Sequence, residues 1–223
     1  MAERQLNLYA TYTYTDSYWA APEADRRVFR QKLAAEAQTL SQATQFYSLF
    51  PARSDTDFLI WSAWVMEETG VTAEAFSRYG EVAEGWRHFI RPVQTLWGYT
   101  RVSTYARGKS EQDMDPFEGE RGTYFIAYPF SKTKEWYLMS MDARQGQMNE
   151  HIKLGKQFPE IKQLLLYSFG IQDHEFIVAY ETEDLPKFSD LVYQLRSTEA
   201  RRHTLLDTPI VTGIHRTVEE FVR

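Results

Sequence analysis

The chain has 223 residues, enough for one large domain or two small fused ones, and its 43% hydrophobic content suffices for a sizeable core. A formal net charge of −6 argues against a nucleic-acid surface, which needs a basic face, and the absence of cysteine excludes disulfides, thiolate catalysis, iron–sulfur clusters and thiolate-bound zinc. Any metal has to be held by His, carboxylate, Tyr or Met. No segment is apolar for long enough to span a bilayer, and Met1-Ala2-Glu3-Arg4-Gln5 lacks the apolar core of a signal peptide, so a cytoplasmic location is expected.

Leu6 to Thr15 alternates as a strand, with Leu6, Leu8, Ala10, Tyr12 and Tyr14 on one face. Pro22-Glu23 opens a helix that places Val28, Phe29, Leu33, Ala37 and Leu40 at helical spacing. Phe46 to Phe50 and Thr56 to Met66 read as strands joined by the turn-forming Ala52-Arg53-Ser54-Asp55. Thr72 is the expected N-cap of a helix running to Trp86; Pro92 should stop it, and Val93 to Tyr105 reads as a strand. The polar stretch 108–121 is the expected connection between a first half, 1–107, and a second, 122–223.

The second half repeats the order: strand Gly122–Tyr128, helix Met141–Lys156, strands Lys162–Phe169 and Glu175–Tyr180, helix Leu185–Arg202, strand Pro209–Ile214. Tyr47-Ser48-Leu49 followed by Asp55 to Ile60 parallels Tyr167-Ser168-Phe169 followed by Asp173 to Val178, and Arg87-His88 parallels Arg202-His203. Each half reads β-α-β-β-α-β, a ferredoxin-like unit, and two such units give an α+β barrel-like domain.

Of the five histidines, His88 and His203 read as helix C-terminal residues that complement the dipole, and His174 and His215 as surface groups. His151 differs, because Met148, Ile152 and Gly155 put it on the buried side of its helix, where it is either a satisfied core histidine or a ligand facing an apolar cavity. Tyr128 and Lys132 lie at a strand end and Gln163 at a strand start, each equally readable as a rim residue. Glu199 sits late in a helix beside arginines, its simplest partners. No HExxH, P-loop, Rossmann glycine set or GxSxG elbow is present.

Tyr-Pro-Phe-Ser-Lys at 128–132, Glu-Trp-Tyr-Leu at 135–138, Met-Asn-Glu-His at 148–151, Tyr-Ser-Phe-Gly at 167–170, Glu-Phe-Ile-Val at 175–178 and Leu-Arg-Ser-Thr-Glu-Ala-Arg at 195–201 stand in one order and spacing. Together they resemble the chlorite dismutase-like superfamily, whose members bind haem or coproheme. The resemblance implies a duplicated ferredoxin-like fold forming a dimeric α+β barrel, assembled into homo-oligomeric rings, commonly pentamers. It implies His151 as the proximal iron ligand and Gln163 at the distal position where chlorite dismutases carry arginine; a neutral amide does not replace that cation. The pattern is closest to the coproheme decarboxylase branch. There the resemblance implies Tyr128 as the radical residue and Lys132 as a propionate contact in the peroxide-dependent conversion of coproheme to haem b. Glu199 is the expected partner of the His151 ring, with the family position also alignable to Ala200; Arg101, Arg107 and Ser110 are candidate propionate contacts. No distal histidine stands near Trp97-Gly98-Tyr99. The alternatives are a chlorite dismutase or haem peroxidase, and a non-catalytic haem-binding protein.

Overall fold

The computed structural model describes residues 4–105, 108 and 110–223. The first half comprises β1 (Gln5–Tyr14), α1 (Asp16–Ala20), α2 (Glu23–Leu40), β2 (Ala43–Ser48), β3 (Phe58–Val65), α3 (Val71–Glu84) and β4 (Ile90–Tyr99). The second comprises β5 (Tyr124–Lys132), α4 (Lys134–Leu138), α5 (Met141–Gly155), β6 (Lys162–Tyr167), β7 (Phe176–Thr182), α6 (Leu185–Leu195), a 3-10 turn (Glu199–His203), β8 (Thr204–Leu206), β9 (Val211–Arg216) and α7 (Val218–Phe221).

Strand order is consistent with a duplication. The first half reads β4-β1-β3-β2 and the second β9-β5-β7-β6, the same antiparallel order within each unit. Two seams, β2 to β9 and β4 to β6, join the units edge to edge and close the sheet into a barrel, which removes the exposed edges each unit would otherwise present. A glycine sits at each seam. A Cβ on Gly98 of β4 would meet Leu166 Cβ at 2.8 Å, and one on Gly213 of β9 would meet Leu49 Cδ2 at 2.7 Å, so the close approach of the units requires the missing side chain.

Closure gives β1 two buried faces, where its alternation suggests one. Tyr9, Tyr47, Leu59, Trp61, Leu96, Phe125, Leu166 and Ile177 fill the barrel, while Leu6, Leu8, Ala10 and Tyr12 pack outward under α2 and α3. Each fully buried large side chain contributes about 1.5–3 kcal/mol, so these layers dominate stability. On the second sheet Ile126, Val178 and Tyr180 pack against Leu154 and Phe158, at and just beyond the C-terminal end of α5, and against Phe188 and Leu191 of α6. Inside the barrel Arg121 lies 3.7 Å from Glu181, whose carboxylate also accepts from Tyr47 Oη at 3.1 Å. Burial raises the Glu181 pKa, and Arg121 opposes it.

Four expected boundaries move, each for a local reason. The helix expected to reach Arg202 ends at Leu195, because the hydroxyls of Ser197 and Thr198 donate to the carbonyls of Gln194 and Leu195 and compete with the ladder. Pro92 lies inside β4, opposite Tyr12, where a bulge between Thr11 and Tyr12 removes the need for its N–H, and β4 ends at Tyr99. Thr72 does not cap α3; Gly70 holds that place, and Thr72 Oγ1 bonds Tyr99 Oη at 2.8 Å. The strand expected to end at Tyr128 runs through Pro129 to Lys132, since β9 pairing stops at Ala127 and leaves the proline without a donor to supply on that side.

Candidate functional site

Alternation along β6 sends Leu164 and Leu166 into the barrel and Gln163, Leu165 and Tyr167 outward. Their cross-strand partners Tyr180, Val178 and Phe176 share that outer face, as do Tyr128 and Phe130 of β5. α6 covers one part of it. The remainder, toward Leu165 and Phe169, is open: these two side chains are 38% and 47% exposed.

α5 borders the open part. It starts where the Ser140 hydroxyl accepts from the Ala143 N–H, and none of its residues is fully buried. Its half-buried stripe runs through Arg144, Gln147, Met148, His151, Ile152, Leu154 and Gly155. His151 Nδ1 is buried and has no hydrogen-bond partner. Burial, assisted by the Lys132 ammonium, lowers the His151 pKa to about 4, so its imidazole is neutral at physiological pH, the form that ligates metals.

Lys132 is fixed at both ends. Its N–H donates to Glu175 Oε2 at 2.7 Å, and its Nζ donates to the Ala200 carbonyl at 3.3 Å while lying 4.6 Å from the Trp136 ring centroid. Burial and Arg201 lower its pKa to about 8. Trp136 is the buried residue of α4, and Tyr137 beside it donates to Glu175 Oε2 at 2.5 Å. Glu175 thus orients a strand end and a short helix together, a role that depends on β5 and β7 lying side by side. Tyr128 stacks on Tyr180, ring centres 6.2 Å apart; burial raises its pKa, so the phenol stays protonated.

The structure brings His151, Lys132 and Tyr128 to the outer face of the second sheet and its covering helices, and it puts Gln163 on the same face. Gln163 is held by its backbone: its N–H donates to the Gln112 carbonyl at 2.7 Å and its carbonyl accepts from Met114 N–H at 2.9 Å, leaving the amide side chain exposed. Gln112 Nε2 in turn donates to the carbonyls of Phe158 and Ile161 at 2.9 and 3.1 Å, which ties the connecting segment to the end of α5.

Glu199 and Ser110 fall elsewhere. Glu199 is not the acceptor for His151: the helix break at Thr198 moves it into the 3-10 turn, where it pairs with Arg202 at 3.3 Å and its N–H donates to Glu150 Oε2 at 3.1 Å. Ser110 lies in an exposed turn, its N–H donating to Asp113 Oδ2 at 2.8 Å and its Oγ accepting from Gln112 N–H at 3.2 Å. Arg101 rests over the Tyr167 ring at 5.7 Å, and Arg107 lies outside the described residues. No described helix is long and apolar enough to cross a membrane.

Known proteins share this architecture. A curated coproheme decarboxylase of Mycolicibacterium smegmatis is 28% identical over 181 residues, covering 79% of this chain and 74% of that protein. A structure of a putative chlorite dismutase superposes with a TM-score of 0.83 at 26% identity, covering 99% of this chain and 98% of that one. The chlorite dismutase of Candidatus Nitrospira defluvii, solved with imidazole, matches with a TM-score of 0.82 at 23% identity over 98% of this chain and 93% of that one, a likeness of fold. The family model described as chlorite dismutase matches residues 23–216, and the chain belongs to that family.

Proposed function

We propose that the chain binds an iron porphyrin on the open face beside α5 and catalyses peroxide-dependent oxidative decarboxylation of two propionates of iron-coproporphyrin, yielding haem b. The observation that carries the reading is the neutral, half-buried imidazole of His151 beside an uncovered aromatic sheet face. The donor set fits such a group: His151 offers one neutral imidazole whose buried Nδ1 has no hydrogen-bond partner, and a macrocycle brings the iron's other ligands with it.

Bound iron porphyrin would supply the oxidising power of peroxide; the protein supplies position and electrostatics. His151 would hold the iron through its neutral imidazole. Tyr128, oxidised by one electron to its phenoxyl radical, would take a hydrogen atom from the propionate β-carbon; the carbon radical would give its electron to the second oxidising equivalent of the same peroxide, and loss of carbon dioxide would leave a vinyl group, one peroxide being consumed per propionate. The buried phenol of Tyr128 would lose a proton with its electron, and Lys132, whose Nζ donates to the Ala200 carbonyl, would serve as a propionate contact. Gln163 offers a neutral amide on the face, which disfavours retention of an anionic oxidant.

The test is addition of peroxide to the coproheme complex with carboxylate loss followed by mass spectrometry; an unchanged tetrapropionate would sink the reading. Oxygen release from chlorite at high turnover would instead favour a chlorite dismutase, the reading to which the family's name points. The expected ring of copies is tested by the mass of the assembly in solution.

A further inference from the structure

The seam between β4 and β6 carries a cleft of about 170 Å³ lined by Arg4, Tyr99, Thr100, Arg101, Tyr167 and Phe169. Tyr99 and Tyr167 are the pair through which the two strands meet. The Arg4 guanidinium lies 5.8 Å from the centre of the Tyr99 ring and the Arg101 guanidinium 5.7 Å from that of Tyr167. Among the described residues these ring contacts are the side-chain interactions given for both guanidiniums, and neither joins an ion pair there, in a chain whose net charge is −6. Two cations held on one cleft without a carboxylate between them repel each other and favour an anion there.

The cleft is continuous with the open sheet face. Phe176 lies 5.3 Å from Tyr167, 4.9 Å from Phe169 and 4.8 Å from Phe130, ring centre to ring centre, and Tyr137 lies 6.2 Å from Phe169. A flat apolar surface ending in paired guanidiniums suits a flat apolar ligand that carries carboxylates at its periphery, and the planar guanidinium matches a carboxylate in two-point geometry.

We infer that the Arg4–Arg101 cleft binds a peripheral carboxylate of the porphyrin and makes the chain discriminate porphyrins by carboxylate number, favouring tetracarboxylates over dicarboxylates. The inference rests on the porphyrin-binding reading above. Its consequence is that substrate and fully decarboxylated product bind unequally for a reason separate from iron ligation.

Iron-free porphyrins test it without any contribution from His151. Fluorescence titration of the wild-type protein should show coproporphyrin binding about tenfold tighter than mesoporphyrin, the sum of two exposed charged contacts, with the preference shrinking as salt is added. In the Arg4→Ala/Arg101→Ala variant the two ligands should bind within about twofold of each other, while Arg4→Lys/Arg101→Lys, which keeps the charge and loses the fork, should fall between. Equal wild-type affinities for the two porphyrins, or a full preference surviving in the alanine variant, would overturn the inference. Wild-type protein that binds neither porphyrin would remove the parent reading instead. Sodium acetate should weaken coproporphyrin binding no more than sodium chloride of equal strength; specific competition by acetate would assign the cleft to small free carboxylates and overturn the porphyrin assignment.

Discussion

In the first half, α2 lays Phe29, Leu33, Ala34, Ala37 and Leu40 on its sheet and buries each of them. In the second half, α5 follows the first strand in the same way and buries no residue fully. Leu33 stands as far from the start of α2 as His151 does from the start of α5, so one repeat puts an apolar anchor where the other puts an imidazole. The short helices repeat the contrast: Tyr14 stacks on Tyr18 at 3.9 Å beside α1, and Lys132 lies over Trp136 beside α4. A unit that closed its outer face in one copy has left it open, polar-edged and aromatic in the other, and that difference locates the candidate site.

The contrast is broken most severely at Tyr128. Tyr128→Phe should reduce decarboxylation to the background of porphyrin and peroxide alone while keeping porphyrin affinity within about twofold, because the ring stays and one hydroxyl is lost. Mass-spectrometric product analysis decides it, and an undiminished rate would remove the radical role.

A pair of truncations separates the halves next. Leu33→Ala should cost about 2–5 kcal/mol of stability in urea unfolding, the range for a truncated core residue, whereas His151→Ala on the looser helix should cost less than about 1.5 kcal/mol. Equal losses would mean that α5 packs as tightly as α2.

His151 also gives the halves different acid behaviour. Its pKa is about 4 in the folded chain against an ordinary 6.5, so between those values the unfolded chain takes up a proton the folded chain refuses. Stability is therefore lost as pH falls from about 6.5 to 4, and His151→Gln should flatten that part of the pH profile. A profile unchanged by the substitution would contradict the buried neutral imidazole. The smallest effect is expected at Gln163, where Gln163→Arg should tighten nitrite binding to the iron-porphyrin complex about tenfold through one charge-assisted contact. Spectral titration measures it, and an unchanged affinity would place Gln163 away from the anion's position.

The duplication was legible because the Tyr-Ser pairs at 47–48 and 167–168 keep their spacing to the strands that follow, and helical spacing put His151 on the inner stripe of α5. Local competition hid other features. Thr198 ends a helix by bonding its own backbone, which carried Glu199 away from the imidazole it was expected to orient. Pro92 is tolerated in β4 by a bulge that no single-strand pattern reveals. Arg4 carried no signal at all, since its cleft exists only once Gly98 lets β4 meet β6. Features made within one element could be read; those made by closing the barrel could not.

Titration of ferric coproporphyrin into wild-type and His151→Ala protein, followed through the Soret band, tests the central claim most directly. Ligation by His151 predicts a histidine-bound ferric spectrum in the wild type, and in the variant its loss with an affinity drop of more than about a hundredfold, beyond the usual cost of losing a supporting contact to a metal ligand. An unchanged spectrum and affinity in the variant would mean that the open face beside α5 does not hold the iron.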